Sequence, residues 1–247
     1  MPSPPAAALG LLVLLAALAL LGAIARWLTS LPRGDHAESG LVYRLFQFLA
    51  FWLHRVRVEG REHIPRTRAG VGPMIVVCNH TAGVDPILVQ ALCRFEVRWM
   101  MAEDMREPAL EWVWSLGRVI FVDRRKGGGG NSTRVAMKHL AEGGVIGIFP
   151  EGNLERPART LLPFMKGVGL MVKRSGASVL PIVIDGTPQV DPAWASIYRP
   201  SHSRVRVLPP IDYTETDLGA AEIVEDLQQR FLDVTGWPLG DPPPPPV

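Results

Sequence analysis

Short apolar runs alternate with helical segments along most of the chain, and this alternation constrains the fold more than any other feature. The runs are bounded by Gly, Pro or polar turns, as is expected of strands. Predicted strands cover 55–59, 74–78, 96–101, 118–122, 145–149, 179–184 and 205–208. Predicted helices cover about 86–93, 111–116, 131–143, 164–175 and 218–234, with caps from Asn131 or Ser132 and from Asp217. Apolar strands that alternate with helices indicate an α/β domain, in which helices cover both faces of a mostly parallel or mixed central sheet.

A membrane anchor is predicted near the N-terminus. Residues 6–25 carry no charge and consist mainly of Leu and Ala, and a segment of that length just spans the core of a bilayer. No Lys or Arg precedes this segment, whereas Arg26 and Arg33 follow it. The positive-inside rule then places the bulk of the chain in the cytoplasm, with the anchor in the cell inner membrane. A cleaved signal peptide is the alternative, because Ala23-Ile-Ala25 resembles a cleavage site, but the basic stretch typical of such signals is missing.

Three parts of the chain are predicted: the anchor and its linker over 1–36, one domain over 37–240, and a Pro-rich, disordered tail over 241–247. The linker is polar over 31–40. The apolar segment 41–52 is interrupted only by Arg44 and Gln47, and it fits either a second membrane-contacting helix or a core helix.

Composition narrows the class of protein. Hydrophobic residues make up 47% of the chain, which agrees with a membrane segment, and the net charge of +2 gives no support for nucleic-acid binding. The two cysteines, Cys78 and Cys93, lie in apolar surroundings. They suggest neither a disulfide framework nor a metal site and fit a reducing compartment.

A histidine and a carboxylate lie five positions apart directly after the predicted strand 74–78, as His80 and Asp85. They would be roughly 17 Å apart in an extended chain, and a single helix would turn them onto different faces. Only a compact turn brings them together, and Gly83 together with a helix N-cap at Asp85 before Pro86 can provide it. The pair then suits a general base with its orienting acid, although Asp85 can also serve only as a cap.

Basic residues are concentrated after the predicted helix 111–116. Six of them and one acid lie between Arg118 and Lys138, and Arg124 follows the predicted strand 118–122. Guanidinium groups suit a phosphate. A solvated basic face, or one apposed to anionic lipid, is the alternative.

Two further strand ends carry candidate site residues. Glu151 leaves the strand 145–149 at a Pro-Glu-Gly turn, where it can point into a cleft or lie on a surface turn. Pro181 interrupts the strand 179–184, where it can shape a pocket wall or mark a sheet edge. Loops after the carboxyl ends of strands are the usual binding sites in α/β sheets.

Taken together and in this order, these motifs resemble those of the glycerolipid acyltransferase family, of the lysophosphatidic acid acyltransferase type. The matching blocks are Asn79–Asp85, Gly117–Arg124, Phe149–Gly152 and Val179–Val183, with Leu162–Gly167 similar to the segment between the last two. The resemblance covers roughly residues 55–210 and implies a glycerol-3-phosphate acyltransferase-like fold.

The resemblance also implies an activity, the transfer of a fatty acyl group from acyl-CoA or acyl carrier protein to a hydroxyl of a glycerol phosphate or lysophospholipid. No cofactor is implied, and the implied partners are membrane lipids, the acyl donor and the lysophospholipid acceptor. His80 would be the base and Asp85 its partner. The implied substrate-binding residues are Asn79, Arg118, Arg124, Glu151, Gly152 and Lys166.

The chain departs from the family pattern at two places. Thr-Ala-Gly-Val stands inside the first block, and Asn153-Leu154 follow Glu151-Gly152 where Thr-Arg or Thr-Ser is usual, so that the next arginine is Arg156. These differences concern the acceptor head group more than the reaction.

The chemistry explains the residue types. A thioester is already activated, so a base that removes the proton of the acceptor hydroxyl suffices, and neutral imidazole does this at cytoplasmic pH. No Gly-x-Ser-x-Gly elbow is present. Two other classes of protein stay open: a catalytically silent, membrane-tethered lipid-binding protein, and a metallohydrolase that uses His80 and Asp85. The second lacks another histidine at ligand spacing.

Overall fold

The computed structural model describes residues 4–29, 37–66, 72–108, 111–123 and 130–241. The chain divides into two compact units, residues 1–45 and residues 46–247. Most of the predicted linker, residues 31–36, lies outside the described residues. Its last residues, 37–40, are helical, because the second helix begins at Ala37. The predicted proline tail, 242–246, also lies outside the described residues.

The first unit contains the predicted anchor. Helix α1, Pro4–Thr29, is 26 residues long. Within the described ranges it is the one helix long and apolar enough to cross a membrane, over Ala8–Trp27, and none of that stretch is buried. Near its end the Arg44 guanidinium donates to the Trp27 carbonyl oxygen at 3.1 Å and lies 4.3 Å over the Trp27 ring. This pairing is a cation–π contact of the kind that aromatic residues make with arginine.

Helix α2, Ala37–Phe48, continues as a π-helical turn over Leu49–Leu53. Of this segment's part in the second unit, Phe46 packs against the core and Ala50 is buried, whereas Trp52 is 75% exposed. The segment 41–52 is thus helical as predicted, and it combines a core-facing side with an exposed aromatic one.

The second unit is built on a seven-stranded sheet with the order β1-β7-β6-β2-β5-β3-β4. The strands are β1 Arg57–Glu59, β2 Met74–Cys78, β3 Arg98–Ala102, β4 Ile120–Val122, β5 Val145–Ile148, β6 Ser178–Asp185 and β7 Arg204–Val207. All neighbours are parallel except β6 and β7, which pair antiparallel. The predicted α/β fold with a mostly parallel or mixed sheet is confirmed.

Strand β2 lies at the centre of the sheet and all five of its residues are buried. Its side chains alternate between two cores, with Met74, Val76 and Cys78 in one and Ile75 and Val77 in the other. Because both faces are covered, the strand reads as a continuous apolar run, as expected of a parallel sheet.

The described part of the second unit contains five α-helices, of which all but α4 contribute residues to the cores beside the sheet. They are α3 Asp85–Leu92, α4 Glu111–Leu116, α5 Asn131–Ala141, α6 Gly167–Ser175 and α7 Ala220–Thr235. Two predicted caps are wrong. Helix α5 begins at Asn131 itself, after Gly130 and without a side-chain cap. The start of α7 is stabilised by Glu222, whose carboxylate accepts from the Gly219 N–H at 2.6 Å, so Asp217 lies outside the cap.

The parallel strands β2 to β6 all end at the same side of the sheet, which we call the carboxyl edge. The loops 79–84 and 149–166 leave from this edge, after β2 and β5. Strand β7 runs the other way and begins there. The motifs at His80 and Glu151 are therefore neighbours in space, because β2 and β5 are adjacent strands.

Candidate active site

Asp85 lies at the centre of a closed turn and is fully buried. Its Oδ2 accepts from three donors: His80 Nδ1 at 2.9 Å, the Thr81 N–H at 2.7 Å and the Ala82 N–H at 2.8 Å. Its Oδ1 accepts from Thr81 Oγ1 at 3.1 Å. The structure therefore brings the imidazole and the carboxylate together in the way that the predicted compact turn requires.

The turn closes by a different route from the predicted helix cap. Asp85 is the first residue of α3 rather than its cap, and Val84 precedes it. Its carboxylate binds the peptides before the helix instead of those inside it. Gly83 is needed for space, since it has no left-handed φ and a Cβ there would lie 2.7 Å from the Ala193 carbonyl oxygen.

The His80 ring is held between a hydrogen bond and an aromatic stack. It stacks on Phe149, with ring centroids 3.9 Å apart and planes 15° apart, and Phe149 stacks in turn on Trp99 at 4.9 Å. The His80 side chain is 14% exposed. Because Nδ1 donates to Asp85, Nε2 is the acceptor nitrogen of the neutral ring. No described side chain or backbone group hydrogen-bonds Nε2, so it is available to a substrate.

The His80 peptide is fixed from both sides by the loop after β5. Glu151 Oε1 accepts from the His80 N–H at 2.7 Å, and Glu151 Oε2 accepts from the Leu162 N–H at 2.7 Å. The Glu155 N–H donates to the His80 carbonyl oxygen at 2.7 Å. Burial raises the pKa of Glu151, and the nearby Glu155 carboxyl raises it further, against the effect of the two N–H donors. Glu151 therefore lies behind His80, with both oxygens occupied.

Asn79 is fully buried and lies against strand β6. Its Oδ1 accepts from the Ile184 N–H at 2.7 Å, and its Nδ2 donates to the Ile184 carbonyl oxygen at 2.9 Å. Nδ2 also donates to Glu155 Oε1 at 2.6 Å. These three hydrogen bonds join the turn to β6 and to Glu155, so Asn79 supports the turn from the core side. Glu155 itself is a site residue that the sequence analysis missed, and the departure from the family pattern at 153–156 was the available signal.

The predicted basic residues are divided between the two edges of the sheet. Arg118 precedes β4 and lies at the opposite edge from His80, so the structure does not bring it to the turn. Arg124 lies outside the described residues. Lys166 is exposed and immediately precedes α6 at the carboxyl edge. Arg156, whose role the sequence left unassigned, donates from Nη1 to the Thr81 carbonyl oxygen at 3.0 Å and so lies directly beside the turn that carries His80.

Gly152 occupies a position that requires glycine. Its φ is +69°, and a Cβ would lie 2.6 Å from Met165 Sδ. Met165 in turn donates its N–H to the Pro150 carbonyl oxygen at 2.8 Å. The Pro-Glu-Gly turn is thus a tight bend that packs against the segment before Lys166.

Histidines other than His80 do not form a metal site with it. Within the described ranges, no group of three His, Cys, Asp or Glu side chains lies close enough to hold a metal ion.

The segment that carries the site is similar to segments of known proteins. A family model described as Acyltransferase matches residues 55–185, which contain the turn, Glu151 and Glu155. The chain belongs to the acyltransferase family. It is 30% identical over 198 residues to the 1-acyl-sn-glycerol-3-phosphate acyltransferase of Borreliella burgdorferi, covering 75% of each chain. It is 24% identical over 167 residues to the chloroplastic enzyme LPAT1 of Arabidopsis thaliana, and it spans about half the length of that relative.

The fold of this acyltransferase also matches a solved structure. It resembles the crystal structure of the 1-acyl-sn-glycerophosphate acyltransferase PlsC from Thermotoga maritima, with a TM-score of 0.63, 24% identity and 80% of each chain covered. The resemblance inferred from the motifs is confirmed, and so are the fold and the class of enzyme, an O-acyltransferase.

Proposed function

We propose that the protein transfers a fatty acyl group from acyl-CoA or acyl carrier protein to the free hydroxyl of 1-acylglycerol 3-phosphate, giving phosphatidic acid. The observation that carries the proposal is the 2.9 Å contact between His80 Nδ1 and Asp85 Oδ2, which leaves Nε2 free to act as a base. The names of its relatives, 1-acyl-sn-glycerol-3-phosphate acyltransferases, support the choice of acceptor.

The reaction needs one proton carrier and no covalent enzyme intermediate. His80 Nε2 takes the proton of the acceptor hydroxyl while the hydroxyl oxygen attacks the thioester carbonyl carbon. The tetrahedral intermediate collapses, the C–S bond breaks, and the imidazolium returns the proton to the leaving thiolate. An ester and a free thiol are formed, and His80 is again neutral.

Asp85 supports this cycle by holding one tautomer of His80. The carboxylate binds the Nδ1 hydrogen, so the lone pair stays on Nε2, and its negative charge stabilises the imidazolium that forms. The backbone N–H groups of Thr81 and Ala82 donate to the Asp85 carboxylate, and these hydrogen bonds fix its position. The stack on Phe149 restricts the remaining tilt of the ring.

The acceptor phosphate is proposed to bind beside the basic residues at the carboxyl edge of the sheet. Arg156 is exposed and uses Nη1 for the Thr81 and Glu155 carbonyl oxygens, so its other N–H groups can meet a phosphate. Lys166 lies on the same edge, and Arg124, which is outside the described residues, is a further candidate from the motif. Gly152 contributes the tight bend that packs against Met165 beside Lys166.

The membrane is proposed as the place of the reaction. Donor and acceptor both carry acyl chains that prefer the bilayer, and the apolar helix Ala8–Trp27 can tether the chain to it. The placement of Arg26 and Arg33 favours a catalytic domain on the cytoplasmic side of the cell inner membrane.

The test is thiol release by the purified full chain with acyl-CoA or acyl carrier protein and a panel of lysolipids in detergent micelles. We expect His80→Ala to lower kcat by at least ~10²- to 10⁴-fold, because the base is lost. Asp85→Asn should lower it by roughly 10³- to 10⁴-fold, because the tautomer is no longer fixed. His63→Ala, at a partly exposed histidine distant in sequence from the turn, is the matched control and should keep wild-type turnover.

The same experiment separates the alternatives. Turnover with glycerol 3-phosphate or another lysolipid, and none with 1-acylglycerol 3-phosphate, would keep the mechanism and change the acceptor. Lipid binding without thioester consumption would favour a silent lipid-binding protein. Near-wild-type turnover of folded His80→Ala would refute the proposed base.

A further inference from the structure

Glu155 contacts two separate parts of the turn, the Asn79 side chain and the His80 backbone. Its carboxyl group accepts from Asn79 Nδ2 at 2.6 Å, and its backbone N–H donates to the His80 carbonyl oxygen at 2.7 Å. One residue thus holds the side chain before the histidine and the peptide after it. The side chain is fully buried, so this arrangement is shielded from water.

The contact matters because Asn79 replaces a missing stretch of sheet. The β2–β6 ladder ends at the pair Cys78 and Ile182. Beyond it, the Asn79 amide bonds both the N–H and the carbonyl oxygen of Ile184, as a further peptide of β2 would. The main chain is thereby released from the sheet and can bend at His80 toward Asp85. The Glu155 carboxyl holds the amide in this orientation, because it binds the remaining hydrogen of Nδ2.

The surroundings of the second carboxyl oxygen of Glu155, Oε2, indicate whether this group is charged. Oε2 is buried and accepts no hydrogen bond of normal geometry from the described groups, although the Arg159 backbone N–H lies near the carboxyl group and lowers its pKa in part. The Arg159 guanidinium itself binds Asp185. Asp85, Glu151 and Asp185 face the same region, and the nearby cation Arg156 binds carbonyl oxygens rather than this carboxyl group. A buried, unpaired oxygen costs less as a neutral acid than as a charged carboxylate. Each oxygen of Glu151 accepts an N–H, but burial still raises the pKa of Glu151 to about 9, so Glu151 adds no negative charge beside Glu155 at neutral pH.

We propose that Glu155 is a positioning residue of acyl transfer, which acts as a neutral carboxylic acid that locks the Asn79 amide and thereby sets the orientation of His80. The inference rests on the proposed function of His80 as the base. Burial raises the pKa of Glu155 to about 8, which agrees with a protonated group at neutral pH. Above that pH a further negative charge would enter the network beside Asp85 and Asp185 and disturb the turn.

The test compares Glu155→Gln with Glu155→Ala in the full chain, each measured for kcat and for the KM of donor and acceptor. Glutamine copies the shape and charge of a neutral glutamic acid, so we expect kcat within about threefold of wild type at pH 7. Alanine leaves Nδ2 of Asn79 without its acceptor, and we expect kcat to fall roughly 10- to 100-fold with both KM values nearly unchanged, because His80 is misplaced while the substrate sites remain.

The pH profile gives a readout that a merely structural role would not move. Wild-type kcat should fall above about pH 8, and Glu155→Gln should hold its activity to higher pH. Gln189→Ala is the matched control, because Gln189 Nε2 donates to the Glu155 carbonyl oxygen, at 3.2 Å, rather than to its carboxyl group, and the profile of this variant should follow wild type.

Two outcomes would overturn the inference while wild type is active and His80→Ala is not. One is a Glu155→Gln variant that folds and loses as much kcat as Glu155→Ala, since the charge would then be required. The other is a Glu155→Gln profile with the same alkaline limit as wild type. If Glu155→Ala does not fold, the glutamine variant and its pH profile still decide the question. Activity in His80→Ala would instead remove the proposed function itself.

Discussion

At the scale of single residues, three buried acids surround one imidazole. Asp85 binds the ring of His80, Glu151 binds its N–H, and Glu155 binds its carbonyl oxygen through the backbone. All three side chains are fully buried. Acids this close cannot all be ionised at low cost, because burial and neighbouring negative charges raise the pKa of Glu151 and of Glu155. The site therefore depends on which acid keeps a proton as much as on which residues are present.

The thermal stability of the protein should depend on pH through Glu155. The folded-state pKa, about 8, is above the ordinary value of 4.5, so the folded state binds the proton more tightly. The stabilising contribution of this group is fully present below about pH 4.5 and is lost as the pH rises to about 8. Glutamine does not titrate, so the Tm of Glu155→Gln relative to wild type should rise between pH 5 and pH 9, by an amount on the order of 10 °C.

Thermal unfolding by circular dichroism checks this expectation. Glu225→Gln, at an exposed glutamate of α7, is the control, and its Tm difference from wild type should not change with pH. A difference for Glu155→Gln that is equally flat would show that Glu155 is already ionised at neutral pH.

At the scale of elements, the short helix at Ala193–Tyr198 packs against the turn that carries His80. Ser196 Oγ accepts from the Val84 N–H at 3.0 Å, and the Ala193 carbonyl oxygen lies where a Cβ of residue 83 would be. The sequence analysis predicted no element in this region. Such a short 3₁₀ helix carries little periodic signal, and contacts with the turn rather than local preference hold it in place.

A methyl group at Gly83 should therefore separate the turn from this helix. We expect Gly83→Ala to lower the free energy of unfolding by about 1–3 kcal/mol, since the neighbouring atom is backbone and cannot move alone. We also expect kcat to fall, because the turn carries His80. Gly130→Ala, where a Cβ meets nothing within 4 Å, is the control and should change neither quantity. Equal stability and activity of the two variants would mean that the turn tolerates displacement. Urea unfolding and thiol release measure both effects.

At the scale of the whole molecule, the described residues contain an α/β domain and one helix apolar enough to cross a membrane. The described side chains of Ala8–Trp27 are exposed along its length, and water is an unfavourable surrounding for that much apolar surface. A bilayer would remove this cost, and it is also where the lipid substrates of the proposed reaction reside.

Charges in the middle of this helix should detach the chain from membranes. Each arginine costs about 2.5–3.5 kcal/mol at the centre of a membrane helix. We expect the double variant Leu14→Arg and Leu18→Arg to move from the membrane fraction to the soluble fraction, whereas the same pair changed to Ala stays with the membrane. Fractionation with an antibody to a C-terminal tag measures this. Unchanged membrane retention of the arginine variant, or a mature N-terminus after Ala25, would contradict the predicted anchor.

The sequence by itself determined the alternation of strands and helices, the carboxyl-edge position of His80 and Glu151, and the family. These features follow from apolar periodicity and from short motifs, which are local properties of the chain. The sequence predicted two helix caps at the wrong residues, because the exact start of a helix shifts by one or two residues with little change in the local pattern. The sequence also grouped Arg118 with the site, because Arg118 and Arg124 are close in the chain. Strand β4 lies between them, and Arg118 is at its start, at the edge opposite His80.

Only the tertiary structure decided what lies around the imidazole. Glu155 and Asn79 are 76 residues apart in the chain and meet because the loop after β5 folds over the end of β2. The antiparallel pairing of β6 with β7 was likewise a property of the assembled sheet. Contacts between distant segments depend on how the strands are ordered, and no local pattern encodes that order. The site is therefore predictable in its ring and its first carboxylate, and it is completed only by packing.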